Sequence, residues 1–493
     1  MTNHNLTLKV ALLHLAVVPA RPEENLANLL ELAHQAASHG ARLLVAPEMA
    51  LSGYCFEDRA SILPHAETLE GGRWLPEIAQ LAADRKVYVA VGLAERVEPG
   101  QVLYNAAFFI NDQGQILGRA HKLNSESRWA CPGEQSQANI WSTPWGRVAI
   151  HICADSWNSL IIRQAALKGA DLLILPANWP AAGLDPYDLW RFRALENGLW
   201  FVACNRTGRE PNLDCLSATS CAFDPFGQEL LREKSPESAV FYVDLPLNER
   251  GLLDNERKKQ ILASRTPQLH HRLYGNFNPI KDLTGFLKLP KPGLLSLQAL
   301  IPPPGQNPAL FWEQWSQPIP EGWLLLPNWP YSPEDINKIN QLAAGRAVLA
   351  QTNGEWLFLG DLKGERATGP EGQYLIDHGP ARVWLAEPSQ IAQPEAAIAA
   401  AKSGADLAIS YWESLTPQAR LLASLRPIDQ LATAIVAPDG AAMGLLWAGH
   451  QAGRGASVAS GQVGGLEFDT RETREKRFQD RLDFAVFFQN PVA

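Results

Sequence analysis

The chain has 493 residues, of which 46% are hydrophobic and 19% charged, with a formal net charge of −9. This composition is typical of a folded globular protein of about two to four domains. The acidic balance argues against nucleic acid or an anionic membrane as a partner, and no apolar run approaches the roughly 18 residues of a membrane-spanning helix. With no convincing signal peptide, we expect a cytoplasmic protein.

The cysteines are confined to the first half of the sequence. They are Cys55, Cys131, Cys153, Cys204, Cys215 and Cys221. None has a CxxC spacing or histidine-rich surroundings, so we predict no zinc site, no other metal and no cofactor. Without a secretory signal, we also predict no disulfide framework. The second half has no thiol and cannot carry out thiol chemistry by itself.

Strands alternate with helices along the first half. The predicted strands are 8–18, 42–46, 87–93, 103–111, 115–122, 147–152, 171–176 and 199–205, with a closing hairpin at 217–223 and 228–231. The predicted helices are 23–38, 160–167 and 185–198. This alternation predicts a layered α/β domain. Such domains place their chemistry at the carboxyl ends of strands, which is where Glu48, Lys122 and Cys153 fall.

Cys153 lies between a predicted strand and the predicted helix 160–167. A thiol at such a junction lies near the first free N–H groups of the helix, which favour thiolate. The alternative is that Cys153 is a buried apolar side chain. His151 lies on the same strand face and could form a thiol–imidazole dyad. However, residues i and i+2 of a strand point in parallel and rarely make that short contact.

The second half resembles a shortened copy of the first. The Gly-Ala-Asp-Leu sequence at Gly169 recurs at Gly404, and the Arg-Val pair at Arg147 recurs at Arg382 with the same spacing. Glycine ends a helix in each Gly-Ala-Asp-Leu unit, and a strand follows. The alternative is that short α/β units resemble one another without duplication.

The reactive groups do not recur in this copy. Asn328 takes the place of Glu48, and Pro388 takes the place of Cys153. No lysine matches Lys122, since Arg-Ala-Thr-Gly occupies residues 366–369. If the duplication is real, we expect the second half to be a non-catalytic partner of the first.

Four motifs follow one another in the first half: Pro-Glu-Met-Ala-Leu-Ser-Gly-Tyr ending at Tyr54, His-Lys-Leu around Lys122, Glu126 followed by Trp-Ala-Cys-Pro-Gly, and Cys-Ala-Asp-Ser-Trp from Cys153. In this order they resemble the nitrilase superfamily of carbon–nitrogen hydrolases, over residues 8–245. The resemblance implies an α/β fold, a four-layer α-β-β-α sandwich. With the repeat, it implies two sandwiches in tandem: a catalytic domain at 1–285 and a degenerate one at 286–493.

The resemblance implies a catalytic role for each matched residue. Glu48 would be the general base, Lys122 would stabilise the oxyanion, and Cys153 would be the nucleophile. Glu126 is the best match to the family's second glutamate, with Glu134 as the alternative. The chemistry agrees, since a neutral thiol needs a base and a nearby cation to attack, and an ammonium group stabilises charge that develops on oxygen.

We assign a second group of residues to substrate binding: Tyr54, Asp155, Trp157, Asn178 and Trp179. For Tyr54 and Trp157, a place in the ordinary core is equally compatible with the sequence. Arg193 and Glu196 lie outside the matched catalytic set. We interpret them as a structural ion pair.

The predicted activity is hydrolysis of a small amide or N-carbamoyl compound through a Cys153 thioester, which releases ammonia or an amine. Two alternatives are hydrolysis of a nitrile by the same residues and a binding or regulatory scaffold with a vestigial site. We expect the two halves to pair within one chain, as nitrilase-like sandwiches do between subunits, and a further homo-oligomer is left open.

Overall fold

The structure, a computed structural model, describes residues 6–99, 101–134, 139–180, 185–275, 277, 279–365, 374–445 and 453–474. These residues divide into two compact units, the first ending at Ala263 and the second beginning at Ser264. The division lies before the predicted boundary at 285. One reason is that the Lys402 ammonium group, in the second unit, donates to the carbonyl oxygens of Leu273 at 2.8 Å and Gly275 at 2.6 Å.

The first unit contains fourteen described strands and six described helices. The strands are β1 (Thr7–His14), β2 (Leu43–Val45), β3 (Tyr88–Val97), β4 (Val102–Ile110), β5 (Ile116–His121), β6 (Ile140–Thr143), β7 (Gly146–Ile150), β8 (Leu172–Pro176), β9 (Trp200–Cys204), β10 (Arg209–Glu210), β11 (Leu213–Asp214), β12 (Ser220–Phe223), β13 (Glu229–Glu233) and β14 (Ala239–Pro246). The helices are α1 (Pro22–Ser38), α2 (Arg59–Ile62), α3 (Leu75–Arg85), α4 (Ser159–Leu167), α5 (Pro186–Asn197) and α6 (Glu256–Ala263).

Two six-stranded sheets form the centre of the first unit. One has the order β14-β1-β2-β3-β4-β5, and the other has the order β13-β12-β9-β8-β7-β6. In each sheet, the three central strands are parallel and are connected through helices. They are β1-β2-β3 in the first sheet and β7-β8-β9 in the second. The sheets meet face to face, with β1 against β9 and β3 against β8. Helices α1 and α3 cover the first sheet, and α5 covers the second. The first unit is therefore a mixed α/β fold of two packed sheets with helices on their outer faces, and the predicted α/β class is confirmed.

The apolar periodicity of the helices explains this layering. On α1, Leu26 and Leu29 lie three residues apart and are buried, and on α3 Ile78 is buried with them. These side chains pack on Leu44 and Phe108 from the first sheet. Because residues i and i+3 share one helix face, the helix buries that face and exposes the other.

The second unit contains eleven described strands and six described helices. The strands are β15 (Leu294–Ile301), β16 (Gly322–Asn328), β17 (Arg346–Thr352), β18 (Glu355–Gly360), β19 (Tyr374–His378), β20 (Ala381–Leu385), β21 (Leu407–Tyr411), β22 (Ala432–Ala437), β23 (Gly440–Leu445), β24 (Arg454–Ala459) and β25 (Gln462–Asp469). The helices are α7 (Leu283–Leu287), α8 (Pro308–Gln314), α9 (Pro333–Leu342), α10 (Pro388–Ile391), α11 (Pro394–Lys402) and α12 (Pro417–Leu425).

The second unit also has two sheets, with the orders β18-β17-β16-β15-β25 and β19-β20-β21-β22-β23-β24. One apolar cluster joins them, with Leu297 and Leu325 from the first of these sheets and Leu407 and Ala434 from the other. Helices α8 and α9 pack on the outer face of the five-stranded sheet. None of the helices in the described ranges is long and apolar enough to cross a membrane.

Candidate active site

Glu48 follows β2 at the edge where the parallel strands of the first unit end. Its side chain is fully buried. Its N–H donates to the carbonyl oxygen of Ala177, just after β8, at 3.4 Å, which joins the ends of the two sheets. Strand β3 passes very close to this turn, since a Cβ atom on Gly92 would lie 2.6 Å from the Glu48 Cα and from the Pro47 oxygen. Only glycine fits there without displacement.

Lys122 is the first residue after β5. Its backbone N–H donates to the Asn105 carbonyl oxygen at 2.8 Å, and its side chain is 1% exposed. The ammonium Nζ donates to Glu48 Oε1 at 2.7 Å and to Glu126 Oε1, and it lies 3.4 Å from the Tyr54 hydroxyl. Strand β5 runs parallel to β3, so its end reaches the same edge as the end of β2.

Glu126 forms the other side of this cluster. Its Oε1 also accepts a hydrogen bond from the Tyr54 hydroxyl, and its Oε2 accepts one from Asn105 Nδ2 at 3.2 Å. Glu134, the sequence alternative, is exposed. The contacts with Lys122 therefore favour Glu126 as the second glutamate.

Asn105 was not identified from the sequence. It is fully buried in β4, and its Nδ2 donates to Glu48 Oε1 at 2.6 Å as well as to Glu126. The sequence feature that could have identified it is a single amide side chain within the apolar stretch Leu-Tyr-Asn-Ala-Ala-Phe-Phe. A buried polar side chain is costly unless it is hydrogen-bonded.

Cys153 follows β7 and has a left-handed backbone conformation, with φ of +45°. Its side chain is buried, and the sulfur interacts with the Glu48 carboxylate and with the backbone N–H of Asn178. The predicted helix does not begin beside it, because a 3₁₀ turn at Cys153–Trp157 comes first and α4 begins at Ser159. The α-helix thus begins within one residue of its predicted start, and the helical residues next to the thiol are those of the 3₁₀ turn.

Asp155 explains this turn. Its Oδ2 accepts the Ile152 N–H at 3.1 Å, and its Oδ1 accepts the N–H groups of Leu123 at 3.0 Å and Asn124 at 2.8 Å. The carboxylate thus ties the residues after Lys122 to the residues around Cys153. The sequence assigned Asp155 to substrate binding, whereas in the structure three backbone donors occupy its oxygens.

The other predicted binding residues lie beside the cluster. Tyr54 contacts Glu126, and its ring lies 5.3 Å from Lys122 Nζ. The Trp157 and Trp179 rings stack with centroids 6.3 Å apart. Asn178 is buried, its Oδ1 lies 3.6 Å from the Cys215 sulfur, and its Nδ2 has no hydrogen-bond partner within the described ranges.

Arg193 and Glu196 form the ion pair that the sequence suggested, and both side chains are buried. The guanidinium group also donates to the carbonyl oxygens of Ser156 at 2.6 Å and Trp157 at 2.8 Å. The pair therefore holds the turn that carries Cys153. This role is structural, as predicted.

His151 does not face the acidic cluster. It lines a separate small cavity with Gln164 and Lys168, and its Nδ1 has no hydrogen-bond partner in the part of the chain that the structure describes. Burial lowers the pKa of His151 to about 4, so the ring is neutral at pH 7. These observations argue against the thiol–imidazole dyad.

The pKa values of the two glutamates shift in opposite directions. Burial raises the pKa of Glu48, although Lys122 opposes this rise. Burial alone would also raise the pKa of Glu126, but Lys122 outweighs it and the net shift is downward. Burial would lower the pKa of Lys122, but the two carboxylates raise it well above its ordinary value.

Burial and then Glu48 raise the pKa of Cys153 well above its ordinary value, so the thiol is protonated at pH 7. The site therefore contains a protonated thiol, an adjacent carboxylate that can accept its proton, and a fixed ammonium group. This combination suits nucleophilic attack with general-base assistance. Across the described ranges, no group of three or more histidine, cysteine, aspartate or glutamate side chains could hold a metal ion.

Comparison with known proteins agrees with this chemistry. A sequence profile of the family described as carbon-nitrogen hydrolase matches residues 9–254. A Pseudomonas protegens protein named "Hydrolase in pqqF 5'region" is 30% identical over 280 residues, which cover 54% of this chain and 92% of that protein. A Pyrococcus abyssi protein named "Nitrilase" is 29% identical over 245 residues, covering 49% of this chain and 90% of the relative.

Two further similarities concern amidases. The Bacillus subtilis protein named "2-oxoglutaramate amidase" is 28% identical over 239 residues, covering 46% of this chain and 87% of that protein. The crystal structure of an amidase from Nesterenkonia sp. is 23% identical, with a TM-score of 0.47, and the match covers 54% of this chain and 96% of the amidase.

Proposed function

Since this chain belongs to the carbon–nitrogen hydrolase family and is a hydrolase of C–N bonds, we propose that its first unit hydrolyses a small amide or N-carbamoyl compound through a thioester on Cys153. The observation that carries the proposal is the buried cluster of Glu48, Lys122 and Glu126 beside that thiol. Relatives named as amidases support an amide substrate.

In the first half of the reaction, Glu48 accepts the Cys153 proton as the sulfur attacks the carbonyl carbon. The C=O bond becomes C–O⁻, and the Lys122 ammonium group stabilises this oxygen. The oxyanion then collapses, the C–N bond breaks, and Glu48 returns its proton to the leaving nitrogen. Ammonia or an amine departs, and the acyl group remains on sulfur as a thioester.

In the second half, Glu48 accepts a proton from water, which attacks the thioester carbonyl. Collapse of the second tetrahedral intermediate breaks the C–S bond, and the sulfur regains the proton from Glu48. The free acid is released. Because burial raises the pKa of Glu48, this carboxylate is a stronger base than an exposed glutamate and is suited to both transfers.

The test measures ammonia release and the mass of the intact chain. Wild-type protein is incubated with a panel of short aliphatic amides, N-carbamoyl compounds and nitriles, then quenched in acid. We expect ammonia from at least one amide or carbamoyl compound and an acyl adduct on Cys153. Cys153→Ala should lower turnover by about 10⁴-fold or more and abolish the adduct.

Cys221→Ala is the matched control, since this thiol is fully buried in β12 and has no role in the proposed reaction. It should retain wild-type turnover and the adduct. Turnover of nitriles alone would replace the proposed substrate class with the alternative one. Absence of both turnover and adduct across the panel would contradict the proposal and favour a binding scaffold.

We further propose that the second unit is a copy of the first that has lost its reactive groups. Val148 in β7 pairs with Leu172, and Val383 in β20 pairs with Leu407, so Pro388 occupies the position of Cys153. The neighbouring contacts also correspond: the Arg147 N–H donates to Asp171 Oδ2 at 2.9 Å, and the equivalent arginine and aspartate of the second unit do the same at 2.9 Å.

The position of Glu48 can be compared in the same way. Leu43 in β2 pairs with Tyr88, and Trp323 in β16 pairs with Ala347. Glu48 lies five residues after Leu43, and Asn328 lies five residues after Trp323. In the proposed copy, an amide therefore takes the place of the general base. The predicted loss of the lysine concerns residues 366–369, which lie outside the described residues.

A further inference from the structure

Asn105 lies at the centre of the acidic cluster although it carries no charge. It is fully buried in β4, between β3 and β5. Its carbonyl oxygen accepts the Lys122 N–H at 2.8 Å, and its amide nitrogen faces Glu48 and Glu126. One residue thus contacts three of the groups assigned to the reaction.

The two hydrogens of the Asn105 amide are both used. Nδ2 donates to Glu48 Oε1 at 2.6 Å and to Glu126 Oε2 at 3.2 Å. The orientation of the amide follows from this arrangement, because the opposite orientation would put Oδ1 against two carboxylate oxygens. A neutral donor can hold two carboxylates side by side without changing the net charge of the site.

The two nitrogen donors to Glu48 act on one oxygen only. Asn105 Nδ2 and Lys122 Nζ both donate to Oε1, whereas Oε2 is buried and has no hydrogen-bond partner among the residues that the structure describes. Two donors on Oε1 make that oxygen the less basic of the pair and fix the plane of the carboxylate. The lone pairs of Oε2 stay free for a proton.

On the basis of the function proposed above, we propose that Asn105 is a positioning residue for the reaction. With Lys122, it holds Oε1 of Glu48 and leaves Oε2 as the atom that accepts the Cys153 proton. It also keeps Glu126 in place beside Lys122. Asn105 acts through these groups and does not itself react.

The main test is Asn105→Asp, which replaces the NH₂ donor by a carboxyl group of nearly the same shape. A third carboxyl group beside Glu48 should lower kcat by about 10²-fold, since the base loses its geometry. The acid limb, the part of the pH profile where kcat/KM falls as the pH decreases, should also move to higher pH by about one unit. The reason is that added negative charge favours protonated Glu48. KM should change by less than about threefold, because the lost contact is not with substrate.

Asn105→Ser is the second variant, since it adds no charge and no volume. It should lower kcat by about tenfold with KM nearly unchanged, and the acid limb should move less than in Asn105→Asp. The matched control is Asn111→Asp in the same β4–β5 hairpin, whose Oδ1 accepts the N–H groups of Gln113 and Gln115. It should leave kcat and the acid limb unchanged.

The outcomes separate this proposal from the proposed function. If the wild-type protein shows no turnover and no adduct, the proposed function fails and Asn105 is not the cause. If the wild-type protein turns over and both Asn105 variants keep its kcat and acid limb, the positioning role is overturned. The positioning role would also be overturned if the variants lost activity only in proportion to the fraction of protein that unfolds, with the acid limb unshifted in the protein that remains folded. Asn105 would then have a structural role.

Discussion

The first unit buries two carboxylates within hydrogen-bond distance of one ammonium group, and their surroundings shift the two pKa values in opposite directions. Lys122 donates to both, but Glu126 also accepts the Tyr54 hydroxyl, and its pKa falls. Burial dominates at Glu48, and its pKa rises. A pair of acids whose pKa values move apart can divide the work into a proton acceptor and a permanently charged partner.

The pH dependence of kcat/KM follows from these shifts. In the proposed reaction Glu48 acts as a base only when ionised, so activity should be lost as the pH falls through its pKa. Because burial raises that pKa, the acid midpoint should lie above about 4.3, the ordinary value for glutamate. Lys122, whose pKa is raised well above its ordinary value, stays cationic and should cause no loss up to about pH 10.

The profile is measured from pH 4 to 10 with the best amide of the panel. Glu48→Gln should remove turnover at every pH, whereas His151→Asn should keep the wild-type midpoint, because His151 lies outside the cluster. An acid midpoint at or below the ordinary value for glutamate would show that burial does not control the base.

At the scale of single residues, the sequence identified the ionisable groups and missed Asn105, which does not ionise. Glu48, Lys122 and Cys153 stand in recognisable motifs at strand ends, where ligands bind in α/β folds. Asn105 lies within a strand, and its role depends on Glu48 and Glu126, which are distant in sequence. Asp155 was assigned to substrate binding because the N–H groups that donate to it, at residues 123 and 124, are distant in the sequence and could not be recognised there.

At the scale of elements, β3 determines the position of Glu48, the proposed general base. Gly92 allows this strand to approach the turn after β2, and its N–H donates to the Pro47 oxygen at 3.2 Å. A methyl group there would meet the Glu48 Cα and the Pro47 oxygen at 2.6 Å. The turn would have to move, and Glu48 with it.

Gly92→Ala should therefore lower kcat by about 10²-fold, as expected for a displacement of about 1 Å, and destabilise the first unit by about 1–3 kcal/mol. Steady-state kinetics and urea unfolding measure the two effects. Gly293→Ala is the control, because its added Cβ would meet only Pro380 at an ordinary 3.5 Å. Wild-type kinetics in Gly92→Ala would show that the turn adapts without moving the carboxylate.

Many regular elements of the first unit were predictable within a few residues, because apolar alternation and glycine or proline boundaries are local signals, whereas β6, β14 and α6 were not predicted. The predicted helix 23–38 and strand 103–111 correspond to α1 and β4. The 3₁₀ turn at Cys153–Trp157 was not predictable. It depends on contacts with distant parts of the chain: the Asp155 carboxylate accepts the N–H groups of Leu123 and Asn124, and the Arg193 guanidinium group donates to the Ser156 oxygen.

At the scale of the whole molecule, the described strands of the two units follow the same order, except that the five-stranded sheet of the second unit has no described counterpart of β5. Strands β3 and β4 contain ten and nine residues, whereas their counterparts β17 and β18 contain seven and six. In the first unit the longer hairpin carries Asn105 and supports Lys122. The shorter hairpin is consistent with the proposal that the second unit has lost the reactive groups.

One structural pair occurs in both units. Arg426 donates to Asp429 at 2.7 Å and to the Ala392 oxygen at 3.1 Å, as Arg193 does to Glu196 and the Trp157 oxygen. Both pairs are buried. The pair of the first unit contacts the turn that carries Cys153, the proposed nucleophile, whereas Arg426 of the second unit contacts the end of α10, which begins at Pro388.

The two arginines therefore offer a matched comparison. Arg193→Lys and Arg426→Lys each keep the positive charge but lose the planar fork that reaches several oxygens. Each should destabilise its own unit by about 1–3 kcal/mol, measured as faster hydrogen exchange in that unit. Only Arg193→Lys should also lower kcat, by about tenfold through displacement of Cys153. An equal loss of kcat in both variants would contradict a catalytic role confined to the first unit.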